Sequence, residues 1–294
     1  MDSISTKTLR SRIAREIGIL DTFISVDPPA VSIHINKSSA PDYPRAMFVL
    51  FSLARASRFG FVPRERVAAL RAVFWSLYDE AKVKGLPKDM LYVDLYGMRF
   101  LAQLGDDATE LIDSFAARPH ANLFTYPVLT YIYVSAYLEC KALRTTYPFS
   151  TNLFYESRKV FEYWLRSSDG AQYLPFHFSE VSAWTGHVDD TLLALAASRV
   201  ERLFDAGYLS RTDISASGVA KCMEHFARRQ SSARLGECEA FLAGRRLSRF
   251  GTFVRPDQAA LAHSLFTERA DSQYLCLDTS AHRLHAFCNL YETL

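Results

Sequence analysis

Apolar residues recur every three or four positions along most of the chain. One stretch places Met47, Leu50 and Phe51 on the same helical face, and similar sets follow between residues 67 and 77 and between residues 91 and 101. A spacing of three and four is typical of amphipathic α-helices, since such residues lie on one side of a helix with 3.6 residues per turn. The pattern therefore predicts an all-α protein.

Proline and glycine interrupt this pattern at short intervals, for example at Pro63 and in the turn over 85–87. The interruptions come about every 20–25 residues, so that two helices take about 45 residues and roughly six pairs fit the chain. An α/α toroid closes with six such pairs. A regular solenoid would show a strict sequence period, and no such period is visible. We predict an α/α toroid (helical barrel) of about twelve antiparallel helices. It forms a single helical domain over 1–294 with an N-terminal helix and arm over 1–41, and residues 26–42 form a short strand or an extended arm.

Composition and charge exclude several classes of partner. Lysine and arginine total 34 against 32 aspartates and glutamates, so the net charge of +2 predicts no nucleic-acid partner. The sequence contains no run of about 18 apolar residues, so we predict no membrane span. The N-terminus lacks the apolar core of a signal peptide. The five cysteines are far apart and form no C-x-x-C pair, which indicates a reducing compartment. We therefore expect a cytoplasmic protein.

The clearest candidate for chemistry is the stretch Gly186-His187-Val188-Asp189-Asp190-Thr191, which precedes an apolar run. It places two carboxylates and an imidazole at the start of a predicted helix. In one interpretation the carboxylates only cap free backbone N–H groups and complement the helix dipole. In the other they face a dry cavity, where one of two adjacent carboxyls stays protonated and acts as a Brønsted acid. The sequence leaves both interpretations open.

The residues Val188-Asp189-Asp190-Thr191-Leu192-Leu193-Ala194-Leu195 resemble the D-x-D-D-T-A helix start of class II terpene cyclases. Those proteins are α/α toroids whose middle aspartate protonates an alkene or an epoxide. The resemblance implies that Asp189 is the acid, that Asp190 is its partner and that His187 replaces the first aspartate of the motif. The resemblance covers this helix start alone, and the Q-x-x-x-G-x-W repeats of the family are absent. Prenyltransferase β subunits share the toroid and have similar D-T-x-x-A-L helices.

Aromatic residues are abundant, with 15 tyrosines and 21 phenylalanines. Aromatic faces stabilise cations without reacting with them, which a carbocation site requires. Ordinary helix packing is the alternative explanation, since aromatic side chains supply much buried area. The candidates for the wall of a substrate pocket are Trp184, Phe176, His177, Tyr126 and Tyr131.

A third candidate lies near the C-terminus. If this segment is helical, Asp278, His282 and His285 share a face at positions i, i+4 and i+7. Together with His187 and Asp189 they could bind a divalent metal. The alternative is a capped helix that carries two unrelated histidines, and no H-E-x-x-H motif supports the metal. We accordingly predict no metal site and no cofactor.

Other sequence signatures of enzymes are missing. There is no G-x-G-x-x-G, no Walker loop and no G-x-S-x-G elbow. The stretch from Asp106 to Glu110 matches a D-D-x-x-E metal box in form, but it follows Gly105 and is interpreted as a helix start. The resemblance to class II cyclases therefore implies a cyclase-like lyase or isomerase that acts by Brønsted-acid chemistry on a small apolar, isoprenoid-like substrate. A non-enzymatic helical-repeat binding protein and a metal-dependent enzyme are the alternatives, and a homodimer is an open possibility.

Overall fold

The computed structural model describes residues 5–33, 41–85, 87–125, 127–166, 190–210, 214–244 and 277–294. Of these residues 80% are helical, in thirteen α-helices, so the all-α prediction is confirmed. The helices are α1 (Thr6–Thr22), α2 (Tyr43–Arg58), α3 (Arg64–Lys84), α4 (Pro87–Leu104), α5 (Thr109–Ala116), α6 (Ala121–Thr125), α7 (Pro127–Glu139), α8 (Lys141–Thr145), α9 (Phe149–Arg166), α10 (Asp190–Asp205), α11 (Ala216–Arg228), α12 (Ser232–Gly244) and α13 (Asp278–Glu292).

Several helices begin where a side chain can cap them. The side chains of Ser5, Asp42 and Ser215 each accept a hydrogen bond from a backbone N–H in the first turn of α1, α2 and α11. Such caps satisfy N–H groups that have no partner within the helix. After α4 the chain turns at Gly105, whose φ of 71° is readily adopted by glycine. Side-chain caps and a glycine turn therefore set the boundaries of these helices.

The stretch predicted as a strand or an arm contains a short hairpin. Strand β1 (Ile24–Val26) pairs antiparallel with β2 (Pro29–Val31), with Ile24 opposite Val31. The hairpin thus begins two residues before the predicted segment. Within the predicted segment 26–42, the strand residues in the described part of the chain are Val26 and Pro29–Val31.

Helix α13 is the centre of the described structure. Every residue from Asp278 to Leu290 is buried, and α13 packs against α11, α2 and α1. A helix buried on all sides is normally apolar. This one instead carries seven buried polar side chains, namely Asp278, Thr279, Ser280, His282, Arg283, His285 and Asn289. These buried polar groups require either partners or a function.

The remaining helices extend the same apolar core. Helix α2 packs on α4, α4 on α5 and α7, α7 on α9, and α11 on α12. The buried apolar residues of these helices form one cluster. These contacts do not confirm a toroid arrangement. Among the described helices, none is both long enough and apolar enough to cross a bilayer.

Candidate active site

Most of the site residues predicted from the motif lie outside the described residues. They are His187, Asp189, Trp184, Phe176, His177 and Tyr126. Asp190 is described as the exposed first residue of α10, a position where a carboxylate complements the helix dipole. Tyr131 is buried in α7 with 6% of its surface exposed.

A polar stripe runs along one face of α13. It consists of Asp278, His282, His285 and Asn289, at positions i, i+4, i+7 and i+11. At 100° per residue these four positions lie within about 60° of one another around the helix axis. None of the four exposes more than 6% of its surface. The predicted common face of Asp278, His282 and His285 is therefore extended by Asn289.

Glu224 of α11 joins the two histidines of this stripe. Its Oε1 lies 2.5 Å from Nδ1 of His282, and its Oε2 lies 3.4 Å from Nδ1 of His285. On the other side of the ring, Nε2 of His282 lies 3.4 Å from Oδ1 of Asp278. His282 is thus placed between two buried carboxylates, and both histidines contact the same glutamate.

Aromatic rings of α2 hold the two imidazoles in position. The centre of the Phe48 ring lies 4.1 Å from that of His282, and the ring of Phe51 meets His285 edge-on at 5.3 Å. The guanidinium carbon of Arg99 lies 4.1 Å from the centre of the Phe51 ring. Ring packing of this kind fixes the orientation of an imidazole, which is a requirement for directed proton transfer.

Two cations flank the Asp278 end of the stripe. Nε of Arg45 and Nζ of Lys221 lie 3.8 Å and 3.9 Å from Oδ2 of Asp278. The side chain of Arg45 is 48% exposed and that of Lys221 is 25% exposed. The stripe therefore begins close to the surface at Asp278 and runs into the core towards Asn289.

The surroundings shift the pKa values of this cluster. Burial alone would raise the pKa of Glu224, but the charges of His282 and His285 outweigh it and lower the pKa to about 2. Burial likewise opposes ionisation of Asp278, yet His282 and Lys221 lower its pKa. For His282, burial favours the neutral ring, whereas Asp278 and Glu224 raise its pKa above 6.5. The two carboxylates on either side of His282 therefore favour the protonated form of its ring.

This arrangement suits proton chemistry better than metal binding. Two atoms that bind one metal at about 2.1 Å are separated by about 3 Å or more, whereas Glu224 and His282 are 2.5 Å apart. In the part of the chain that the structure describes, no three His, Cys, Asp or Glu side chains are arranged to hold a metal ion. A carboxylate on Nδ1 orients an imidazole, and the proton on Nε2 then faces Oδ1 of Asp278 at 3.4 Å.

A second buried carboxylate lies away from this stripe. Asp94 of α4 accepts hydrogen bonds from Tyr78 at 3.2 Å, from Ser114 at 3.3 Å and from Arg118 at 2.8 Å. Burial raises the pKa of Asp94 to about 6, against the opposing effect of Arg118. Because its partners come from α3, from α5 and from the residues after α5, we assign Asp94 to the packing of these elements.

Sequence reasoning missed Glu224, although a signal was present. Ala220, Met223 and Ala227 mark the core face of α11 at helical spacing, and Glu224 lies on that same face. A glutamate on a core face must find a partner, because burying a lone charge is costly. Its partners were 58 and 61 positions further along the chain, so no local pattern could name them.

The D-D-x-x-E stretch is a helix start, as predicted. Asp106 pairs with Arg71, and Asp107 accepts from the backbone and the hydroxyl of Thr109 at the start of α5. These carboxylates therefore have structural partners.

Comparison of the chain with models of protein families, with curated proteins and with solved structures finds no match. The cluster around Glu224 must therefore be interpreted from its own geometry.

Proposed function

We propose that this protein is an acid–base enzyme, a lyase or isomerase, that acts on a small apolar molecule at the His282–Glu224 pair. The observation that supports this proposal is the contact of His282, on the central helix α13, with two buried carboxylates, Asp278 of the same helix and Glu224 of α11. Clusters of titratable groups with strongly shifted pKa values occur preferentially at functional sites.

A purely structural role does not explain why these ionisable residues lie in the core. Replacing a buried ion pair by well-packed apolar side chains is often neutral or stabilising, because charged groups lose their hydration in the core. Helix α13 packs against α1, α2 and α11, whose buried residues are mostly apolar. Apolar residues in place of Glu224, His282 and Asp278 would pack there without that cost. Retaining three ionisable groups in the core therefore favours a catalytic role.

Each group has a definite part in the proposed reaction. Glu224 holds Nδ1 of His282, and Nε2 carries a proton that faces Asp278 at 3.4 Å and that a substrate oxygen would accept in place of this carboxylate. An imidazolium with a raised pKa is a mild acid, so it suits a carbonyl oxygen or a leaving hydroxyl. His285, one turn further along α13, lies 3.4 Å from the other oxygen of Glu224 and is the second imidazole in contact with this carboxylate.

The narrower expectations from the sequence remain proposals. A closed toroid, an isoprenoid-like substrate and acid catalysis by Asp189 all belong to the class II cyclase resemblance. Such chemistry requires a stronger acid than an imidazolium, since an alkene is a weak base. Two distinct acids in one chain would therefore serve different steps, and substitution of Asp189 and of His282 separates them.

Deuterium exchange tests the proposal without a known substrate. Wild-type protein is incubated in D₂O with a panel of apolar ketones, enones and β-hydroxy ketones, and the products are analysed by mass spectrometry. We expect deuterium at carbon in at least one compound, and His282→Gln should lower this rate by at least about 100-fold, which is the usual contribution of a general acid or base.

The matched control is His120→Gln. His120 stacks on Phe115 and bonds to the backbone carbonyl of that residue. This variant should keep the wild-type rate. Failure of wild-type protein to label any compound, or equal rates for wild type and His282→Gln, would contradict the proposal.

A further inference from the structure

The inner end of the polar stripe contains an unusual side chain. Asn289 is 0% exposed, and neither its Oδ1 nor its Nδ2 has a hydrogen-bond partner among the described residues. Buried amides are almost always hydrogen-bonded, because an unpaired donor or acceptor in the core costs stability. Leucine has nearly the same size and would avoid that cost. Asn289 therefore needs an explanation beyond packing.

Its position relates it to the histidines. Asn289 follows His285 by four residues and His282 by seven, on the same face of α13. With a rise of 1.5 Å per residue, these separations are about 6 Å and about 10 Å along the helix axis. These separations are within the length of one small molecule, so a ligand beside the ring of His282 can reach the amide of Asn289 with its far end.

We propose that Asn289 is a specificity-determining residue that binds a neutral group of the ligand, one that both donates and accepts hydrogen bonds, such as a carboxamide. An amide side chain presents one acceptor and two donor hydrogens, and a carboxamide satisfies both kinds with two parallel hydrogen bonds. This inference rests on the proposed function, because it takes His282 as the reacting end of the same ligand. It adds that the substrate is apolar except for a polar group about 6–10 Å from the reacting atom.

The first test measures stability. Asn289→Leu removes two polar atoms without a partner, so we expect its melting temperature to rise above that of the wild type. The matched control is Thr130→Val, which removes a buried hydroxyl that donates to the carbonyl of Leu123. This control should melt at a lower temperature than the wild type. A fall for Asn289→Leu as large as that for Thr130→Val would show a structural partner and overturn the proposal.

The second test measures binding to the full-length protein. The probes are cyclohexanecarboxamide and cyclohexyl methyl ketone, which have the same shape. The carboxamide can donate hydrogen bonds and the ketone cannot. At equal millimolar concentrations the carboxamide should raise the wild-type melting temperature more than the ketone does. Asn289→Leu should lose this difference. No shift with the carboxamide in the wild type, or an unchanged shift in Asn289→Leu, would overturn the inference. Deuterium exchange that depends on His282 would leave the proposed function standing in either case.

Discussion

Two carboxylates of this chain illustrate how surroundings decide what a residue does. Asp190 was singled out in the sequence, and the structure places it exposed at the start of α10. Glu224 was not singled out, yet only 1% of its surface is exposed and it contacts two histidines. A solvated carboxylate has little effect beyond its helix end, whereas a buried one governs the protonation of its neighbours.

Substitution separates these two carboxylates. Glu224→Gln leaves His282 with one carboxylate instead of two, and removing one partner of a buried pair costs about 3 kcal/mol of unfolding free energy. Asp190→Asn should change stability no more than an ordinary surface substitution does. Urea unfolding at neutral pH measures both. Equal effects of the two substitutions would show that Glu224 has no special role in the core.

Local spacing predicted part of this site correctly. Positions 278, 282 and 285 were predicted to share a helical face, and the histidines indeed share Glu224. The alternative of two unrelated histidines does not fit this contact. Spacing could not predict Glu224 as the partner, because tertiary packing brings α11 to α13. The predicted residues Asp189 and His187 lie outside the described residues and remain predictions.

At the level of helices, the sequence pattern predicted where helices form better than it predicted what surrounds each helix. Met47, Leu50 and Phe51 were predicted on one helical face, and all three are buried in α2. Periodicity identifies the face that turns to the core, but it does not show when a helix is covered on every side. Helix α2, buried at every residue from Ala46 to Ala56, and helix α13 are both such cases. The polar residues of α13 gave it the pattern of a surface helix.

A close approach between helices gives a prediction for α4. A methyl group added at Gly97 would meet Cδ2 of Leu111 well inside van der Waals contact and the ring of Phe74 at 3.1 Å. Both neighbours are fully buried, so the core must shift. We expect Gly97→Ala to lower the unfolding free energy by about 1–2 kcal/mol.

Gly236 of α12 provides the control for this substitution, because no atom lies within 4 Å of an added Cβ. Gly236→Ala should raise the unfolding free energy by up to about 1 kcal/mol through helix propensity. Thermal unfolding measures both variants. A stabilising Gly97→Ala would show that α4 is not packed closely against α3 and α5.

At the scale of the whole molecule, the pKa shifts predict how stability depends on pH. The pKa of Glu224 falls from 4.5 to about 2 on folding, so its contribution is present above pH 4.5 and is lost as the pH falls towards 2. The pKa of His282 rises on folding, so its contribution is present below pH 6.5 and is lost as the pH rises through the raised value. This cluster therefore stabilises the protein most between those limits.

The contribution of Asp94 to stability changes with pH in the opposite direction to that of Glu224. Its pKa rises from 3.8 to about 6 on folding, so its contribution is present below pH 3.8 and is lost as the pH rises through 6. Relative to the wild type, Asp94→Asn should therefore gain stability as the pH increases from 4 to 7. Urea unfolding across this range measures the difference, and a constant difference would show that Asp94 titrates normally.

The central claim is that His282 carries a proton in the core because Glu224 and Asp278 hold it there. An NMR titration of the protein labelled with ¹³C and ¹⁵N at histidine tests this directly, with His282→Gln to assign the signal. We predict that His282 titrates above 6.5 and that Glu224→Gln lowers this pKa. A ring that titrates at or below 6.5 in the wild type, and is unaffected by Glu224→Gln, would contradict the account.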